Sequence, residues 1–132
     1  MFPFERMAKQ ESITLEYILN SSPGVLYRFI STKEGLGQWF CDRVEAEGNE
    51  YLFYWQKIGE RATMIASQPN QFVRFQWEHD RGTERYFEFR IVQGELTRIV
   101  SLMVTDFSDD REEMEHLWNH SVKRLKSALG AK

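Results

Sequence analysis

Between Glu11 and Leu19 the chain reads ESITLEYIL, apolar at every second position, so Ile13, Leu15, Tyr17 and Leu19 share one face of a half-buried strand. The period then lengthens. Ser22-Pro23 is a helix start, a capping hydroxyl followed by a residue whose fixed φ suits the first turn. Val25, Leu26, Phe29 and Ile30 fall at i, i+1, i+4 and i+5, the apolar stripe of a short helix. Thr32 is placed to cap a second short helical stretch running through Leu36 to Trp39.

After Asp42 the period returns to two. Segments 43–47, 51–57, 61–68 and 72–79 read as strands, interrupted at Gly48-Asn49, Gly59 and Pro69-Asn70, residues that accept or impose turn dihedrals. Two longer runs follow, 84–92 and 96–106, and Gln93-Gly94-Glu95 between them predicts a tight hairpin. Phe87, Phe89 and Ile91 share one face of the first run; Val100, Leu102 and Val104 share one face of the second. The last segment is helical, with Met114, Leu117, Trp118, Val122, Leu125, Ala128 and Leu129 apolar over about five turns. Asp109 is expected as its N-cap with Glu112 as capping-box partner, and Gly130 as the residue that closes it. Acidic residues crowd its start and Lys123, Arg124 and Lys126 its end, the order that complements the helix dipole.

The order is strand, two short helices, six strands, long helix. It predicts an α+β fold: a curved antiparallel sheet of about seven strands wrapped on the long C-terminal helix, with two short helices after the first strand. Residues 1–132 are expected to form one domain, with 1–9 a flexible N-terminal extension. Such a sheet buries one face against the helix, and the space between them is lined by inward-pointing rings. Rings are plentiful, with 10 Phe, 5 Tyr and 4 Trp, and rings on inner faces serve as plain core or as the wall of an apolar pocket.

Charge narrows the partners. Lys and Arg number 17 against 20 Asp and Glu, the net charge is -3, and no basic stripe marks a nucleic-acid surface. No apolar run approaches the length of a membrane span. One cysteine cannot form an internal disulfide, and the start MFPFERMAK lacks the apolar stretch of a signal peptide, so a cytoplasmic protein is expected.

Candidate chemistry is sparse. Gly35-Leu36-Gly37 lacks the remaining spacing of a dinucleotide fingerprint and the strand-to-helix turn it needs, so the glycines are read as points where the short helices pack or turn closely. Trp39 and Phe40 then plug that corner into the core. Cys41 has no histidine at a spacing that would make it a nucleophile, and Asp42 is read as a cap or an arginine partner at the sheet edge. His116 and His120 stand at i, i+4 with Glu112 on the same stripe, a weak zinc candidate without the glutamate of the metalloprotease motif. Glu88 and Arg90 alternate with the inward rings and are expected as surface cross-strand charge. No cofactor and no catalytic acid, base or nucleophile is expected.

Val25-Leu26-Tyr27-Arg28-Phe29-Ile30, the stretch TKEGLGQWF from Thr32 to Phe40, and Trp118 followed by Leu125-Lys126 resemble the START-like helix-grip superfamily (SRPBCC), which includes the birch pollen allergen and polyketide cyclases. Within it the pattern is most similar to the branch named after the C-terminal domain of the heat-shock-chaperone ATPase activator. Leu117 stands where many relatives have glycine before the helical tryptophan. The resemblance implies a binding module with an internal cavity for a small apolar or lipid-like ligand. Its alternative is a protein-interaction or co-chaperone-type module, and a cyclase- or hydrolase-like enzyme ranks third. The cavity wall is expected from Phe29, Trp39, Phe53, Trp55, Phe75, Trp77, Phe87, Phe89, Met114 and Trp118.

Overall fold

A computed structural model describes residues 11–130, so the expected extension at residues 1–9 lies outside the described residues. In chain order the elements are β1 (Glu11–Leu19), α1 (Pro23–Ser31), α2 (Lys33–Leu36), β2 (Arg43–Glu47), β3 (Glu50–Trp55), β4 (Ile58–Gln68), β5 (Phe72–Trp77), a 3-10 turn (Glu78–Asp80), β6 (Phe87–Gln93), β7 (Val100–Ser108) and α3 (Arg111–Gly130). The seven strands form one antiparallel sheet in the order β1-β7-β6-β5-β4-β3-β2. β1 and β2 therefore occupy opposite edges, and the chain between them carries α1 and α2 past β5 and β6 to reach β2. This is the α+β helix-grip architecture, a curved sheet closed on a long C-terminal helix.

Local chemistry explains the helical corner. Ser22 Oγ accepts from Val25 N–H and Pro23 opens α1, while Thr32 Oγ1 accepts from Gly35 N–H and opens α2. The two helices meet so closely that a Cβ on Gly35 would run into the Arg28 carbonyl and lie 2.5 Å from the Phe29 Cα. Only glycine fits there.

Alternation decides the inner face. Ile13, Leu15 and Leu19 of β1, Tyr51 and Phe53 of β3, Val73 and Phe75 of β5, Phe87, Phe89 and Ile91 of β6, and Val100, Leu102 and Val104 of β7 are all buried. From above, α3 contributes Trp118, Val122 and Leu125, spaced at i, i+4 and i+7. Its other faces are largely polar, so its seat depends on few side chains; burying the Trp118 ring alone contributes about 4–6 kcal/mol as an upper bound.

Several expected boundaries move. β3 and β4 turn at Gln56-Lys57, with Gln56 at φ 58°, and Gly59 sits inside β4 opposite Tyr54. A side chain at Gly59 would press on the Tyr54 ring, and the bare position lets that ring lie flat while Arg43 stacks on it at 3.8 Å. The β6–β7 link is not a tight hairpin: strand pairing ends at Gln93 and Val100, and residues 94–99 form a longer loop. Gly94 N–H donates to Ile99 C=O, Arg98 adopts φ 62°, and Thr97 Oγ1 accepts from Ile99 N–H, local bonds that replace further ladder pairing. The α3 N-cap is Asp110 rather than Asp109, with its carboxylate on Glu113 N–H at 3.0 Å, because β7 continues to Ser108. Gly130 is the last helical residue described rather than the first beyond the helix. Leu117, rotated off the Trp118–Val122–Leu125 stripe, is exposed.

Glu88 also departs from the expectation of plain surface charge. It points to the outer face, yet only 6% of it is exposed, because Arg74 and Arg90 close over it. Those arginines in turn stack on Tyr86 and Phe72, at 4.2 and 4.3 Å.

Candidate functional site

The centre of the space between sheet and α3 is occupied by Phe40. Its ring centroid lies 5.0 to 6.5 Å from those of Trp39, Phe53, Trp55, Trp77, Phe87, Phe89 and Trp118. The backbone at this corner is tied down on both sides. Phe40 N–H donates to Leu36 C=O at 2.9 Å, and Phe40 C=O accepts from Trp55 Nε1–H at 3.1 Å. Asp42 N–H donates to Tyr54 C=O at 2.8 Å and the Asp42 carboxylate accepts from Gln56 N–H at 2.6 Å. Asp42 is therefore a strand-edge cap, and among the described residues no arginine forms an ion pair with it. Cys41 is wholly buried, its thiol aimed at the Arg43 and Leu36 carbonyls, and burial pushes it up to about 11. At neutral pH it stays a thiol.

The ten expected wall residues divide into two groups. Trp39, Phe53, Phe75, Phe87 and Phe89 are buried, and the Trp39 indole donates to the carbonyl of Phe29, which packs on them from α1 and also lines a separate open cleft of about 430 Å³ with Val25, Arg28 and Gln38. Trp55 reaches the same cluster from β3. Trp77 and Met114, by contrast, line an open cleft of about 410 Å³ together with His79, Asp80, Arg85, Asp106 and Phe107. Trp118 lies between the two regions, its ring on Phe40 and Phe89 and its indole N–H on Asp106 at 3.0 Å. His116 and His120 are exposed on α3, and among the described residues no group of three His, Cys, Asp or Glu could hold a metal ion.

The cleft lies where the 3-10 turn, the approach to β6, the end of β7 and the first turns of α3 meet. Asp106 sits there because β7 carries Val100, Leu102, Val104 and Asp106 on the same face, so a carboxyl takes the last place of an apolar row, opposite Ile13 of β1. Its Oδ1 accepts from Phe107 N–H at 2.8 Å and its Oδ2 from Trp118 Nε1–H. Burial raises its pKa to about 6, with the nearby Asp80 adding in the same direction and the two hydrogen bonds opposing. Arg85 donates from Nε to Asp80 Oδ1 at 3.0 Å, and His79 stacks on Trp77 with the rings 8° from parallel.

Sequence reasoning placed Phe40 in the core but not at its centre, and it did not place Asp106 at the site. Asp106 had a signal, since the alternation that marks Val100, Leu102 and Val104 reaches it next. For the central place of Phe40 there was no signal beyond its reading as a core ring, because only the corner's hydrogen bonds decide whether that ring enters the centre or packs beside it. Asp80, Arg85 and Phe107 come to the cleft from separate segments, and no single pattern joins them.

The profile of the START-like superfamily domain matches residues 7–131. No curated protein matches the sequence. Among solved structures, a Bacteroides fragilis protein determined in solution is similar at 37% identity and a TM-score of 0.67, with 92% of each chain covered. The Aha1 dimer of Colwellia psychrerythraea is similar at 19% identity and a TM-score of 0.73, covering 90% of this chain and 96% of that one. A Mesorhizobium loti protein reaches a TM-score of 0.74 at 13% identity, covering 92% and 98%. The last two likenesses are of fold.

Proposed function

The chain belongs to the START-like superfamily, and from that premise we propose that it is a binding module that seats a small ligand with an apolar body and a polar head in the cleft under the start of α3. One observation carries this reading: an open cleft of about 410 Å³ in which Trp77, Met114 and Phe107 stand beside the hydrogen-bonded carboxyl of Asp106. Ligand sites of about 300–1,000 Å³ combine an apolar lining with a few placed polar groups in this way. The ring cluster behind, filled by Phe40, supplies a rigid wall rather than the ligand's space. Its test is titration of the protein with small aromatic compounds while following the Trp77 and Trp118 indole N–H resonances. Saturable shifts of both, with the Trp118 shift lost in Trp77→Ala, support the reading; shifts of neither with any compound sink it.

A second reading, a protein-interaction module, has its own observation. Ile18, Ser101 and Val92 are paired across β1, β7 and β6 on the outer face, and Ile18 is 65% exposed. Ile99 and the 97%-exposed Leu96 continue this apolar strip into the β6–β7 loop. The fold likeness to a protein solved as a dimer is in keeping with it. Sedimentation of the wild type against Leu96→Asp would show association through this strip, and identical monomer profiles at high concentration would leave self-association without support.

A further inference from the structure

The binding reading leaves open which polar head the cleft takes, and resting on that reading we propose that it selects a cationic one: a protonated amine or amidine facing Asp106, on an aromatic or alkyl body laid against Trp77. The argument starts from an unbalanced charge. Asp106 is held by two donors, the Phe107 amide and the Trp118 indole, and both are neutral. Among the described residues no Lys, Arg or His forms an ion pair with it. The cation nearest at hand in the cleft, Arg85, is committed to Asp80 through Nε at 3.0 Å. His79 stands 3.9 Å from both Asp80 and Glu60, so it too faces carboxylates.

The cleft thus sets two carboxylates against one guanidinium, and the carboxylate left over is one whose charged form burial disfavours. Burial pushes Asp106 up to about 6, so near neutrality it is mostly ionised and carries a charge held by two neutral donors and paired with no cation among the described residues. A ligand cation would offset it. Each carboxylate oxygen has accepted one N–H and retains acceptor capacity for another donor. Trp77 and Phe107 supply apolar wall for the ligand's body beside that carboxylate. The opposite choice has one feature in its favour: the terminal guanidinium nitrogens of Arg85 make no hydrogen bond among the described residues, and an anionic head would use them.

Three probes of matched body and different charge separate these outcomes: phenethylammonium, 3-phenylpropionate and neutral ethylbenzene, each titrated at neutral pH into the full chain while the indole N–H resonances are followed. The cation is expected to bind at least about tenfold tighter than the anion and to shift the Trp118 N–H most. Asp106→Asn is expected to remove that advantage while keeping a dispersed, folded spectrum, and Arg85→Gln to preserve it. If Asp106→Asn does not fold, Arg85→Gln and the wild-type probe order decide. Tighter binding of the anion, weakened by Arg85→Gln, overturns the cation selection and leaves the binding module standing. Equal binding of all three probes overturns it as well. No shift from any probe removes the binding reading and this inference together.

Discussion

Replacing Phe40 by alanine tests the central claim that this ring fills the space between sheet and helix. Phe40 is 6% exposed and lies within 6.5 Å of seven other ring centroids. A buried ring removes roughly 150–250 Å² from water, about 4–6 kcal/mol at the upper bound. The cavity contributes separately: about 100 Å³ left open would cost roughly 2 kcal/mol, and partial collapse of flexible neighbours reduces that. Phe→Ala substitutions in cores cost about 3–5 kcal/mol, and the surrounding Trp and Phe rings are too stiff to close the gap, so about 4 kcal/mol is expected here. Domains have about 5–15 kcal/mol in total, so the variant should fold but marginally. In urea, with a slope of about 2 kcal/mol/M, the midpoint should fall by about 2 M at unchanged slope. The vacated space is walled by aromatic rings within an apolar core, and dry apolar cavities of this kind bind benzene. Benzene should therefore raise the melting temperature of Phe40→Ala and leave the wild type unmoved. A loss below about 1 kcal/mol with no benzene effect would refute the reasoning, because it would place Phe40 outside the packed centre.

Asp106 should shape the pH dependence of stability. Its folded-state pKa of about 6 lies above the ordinary carboxyl value, so the native state holds the proton longer than the unfolded one, and stability falls as pH rises from about 4 to 6. The stability difference between Asp106→Asn and wild type should therefore move toward the variant by on the order of 2 kcal/mol between pH 4 and pH 7, read from urea midpoints at each pH; a constant difference would refute the shift. Gly35→Ala should destabilise by about 1–3 kcal/mol in thermal melts, because the added carbon meets the α1 backbone and not a flexible side chain. A neutral result there would mean that α1 and α2 separate freely. Glu88→Ala leaves Arg74 and Arg90 without their shared carboxylate, and a loss of about 1–3 kcal/mol is expected, smaller at high salt as far as the half-exposed arginines allow.

Periodicity was sufficient for the framework. The period-two runs in β1, β6 and β7 and the Trp118–Val122–Leu125 stripe of α3 are local patterns, and hydrophobic burial forces such patterns to one face wherever the strand or helix packs. The caps Ser22 and Thr32 were legible for the same reason, since a hydroxyl three residues before an N–H acts within its own turn. Boundaries were less so. Gly59 looks like a turn residue, but its bareness serves the Tyr54 ring, and the Gln56-Lys57 turn is set by the pairing of Trp55 with Ile58. Asp109 and Asp110 are equal candidates for the cap until the length of β7 is known.

The chain by itself therefore determined the fold class, the faces of its longer elements and most of the rings that meet inside, because each follows from spacing along a few residues. Tertiary structure alone decided that Phe40 takes the centre, which depends on bonds from Trp55, Tyr54 and Gln56, more than ten residues distant along the chain. It alone brought Trp77, Asp80, Arg85, Asp106 and Met114 to one cleft. Charge balance at a site is a property of distances between segments: folding commits Arg85 to Asp80, and among the described residues no cation forms an ion pair with Asp106.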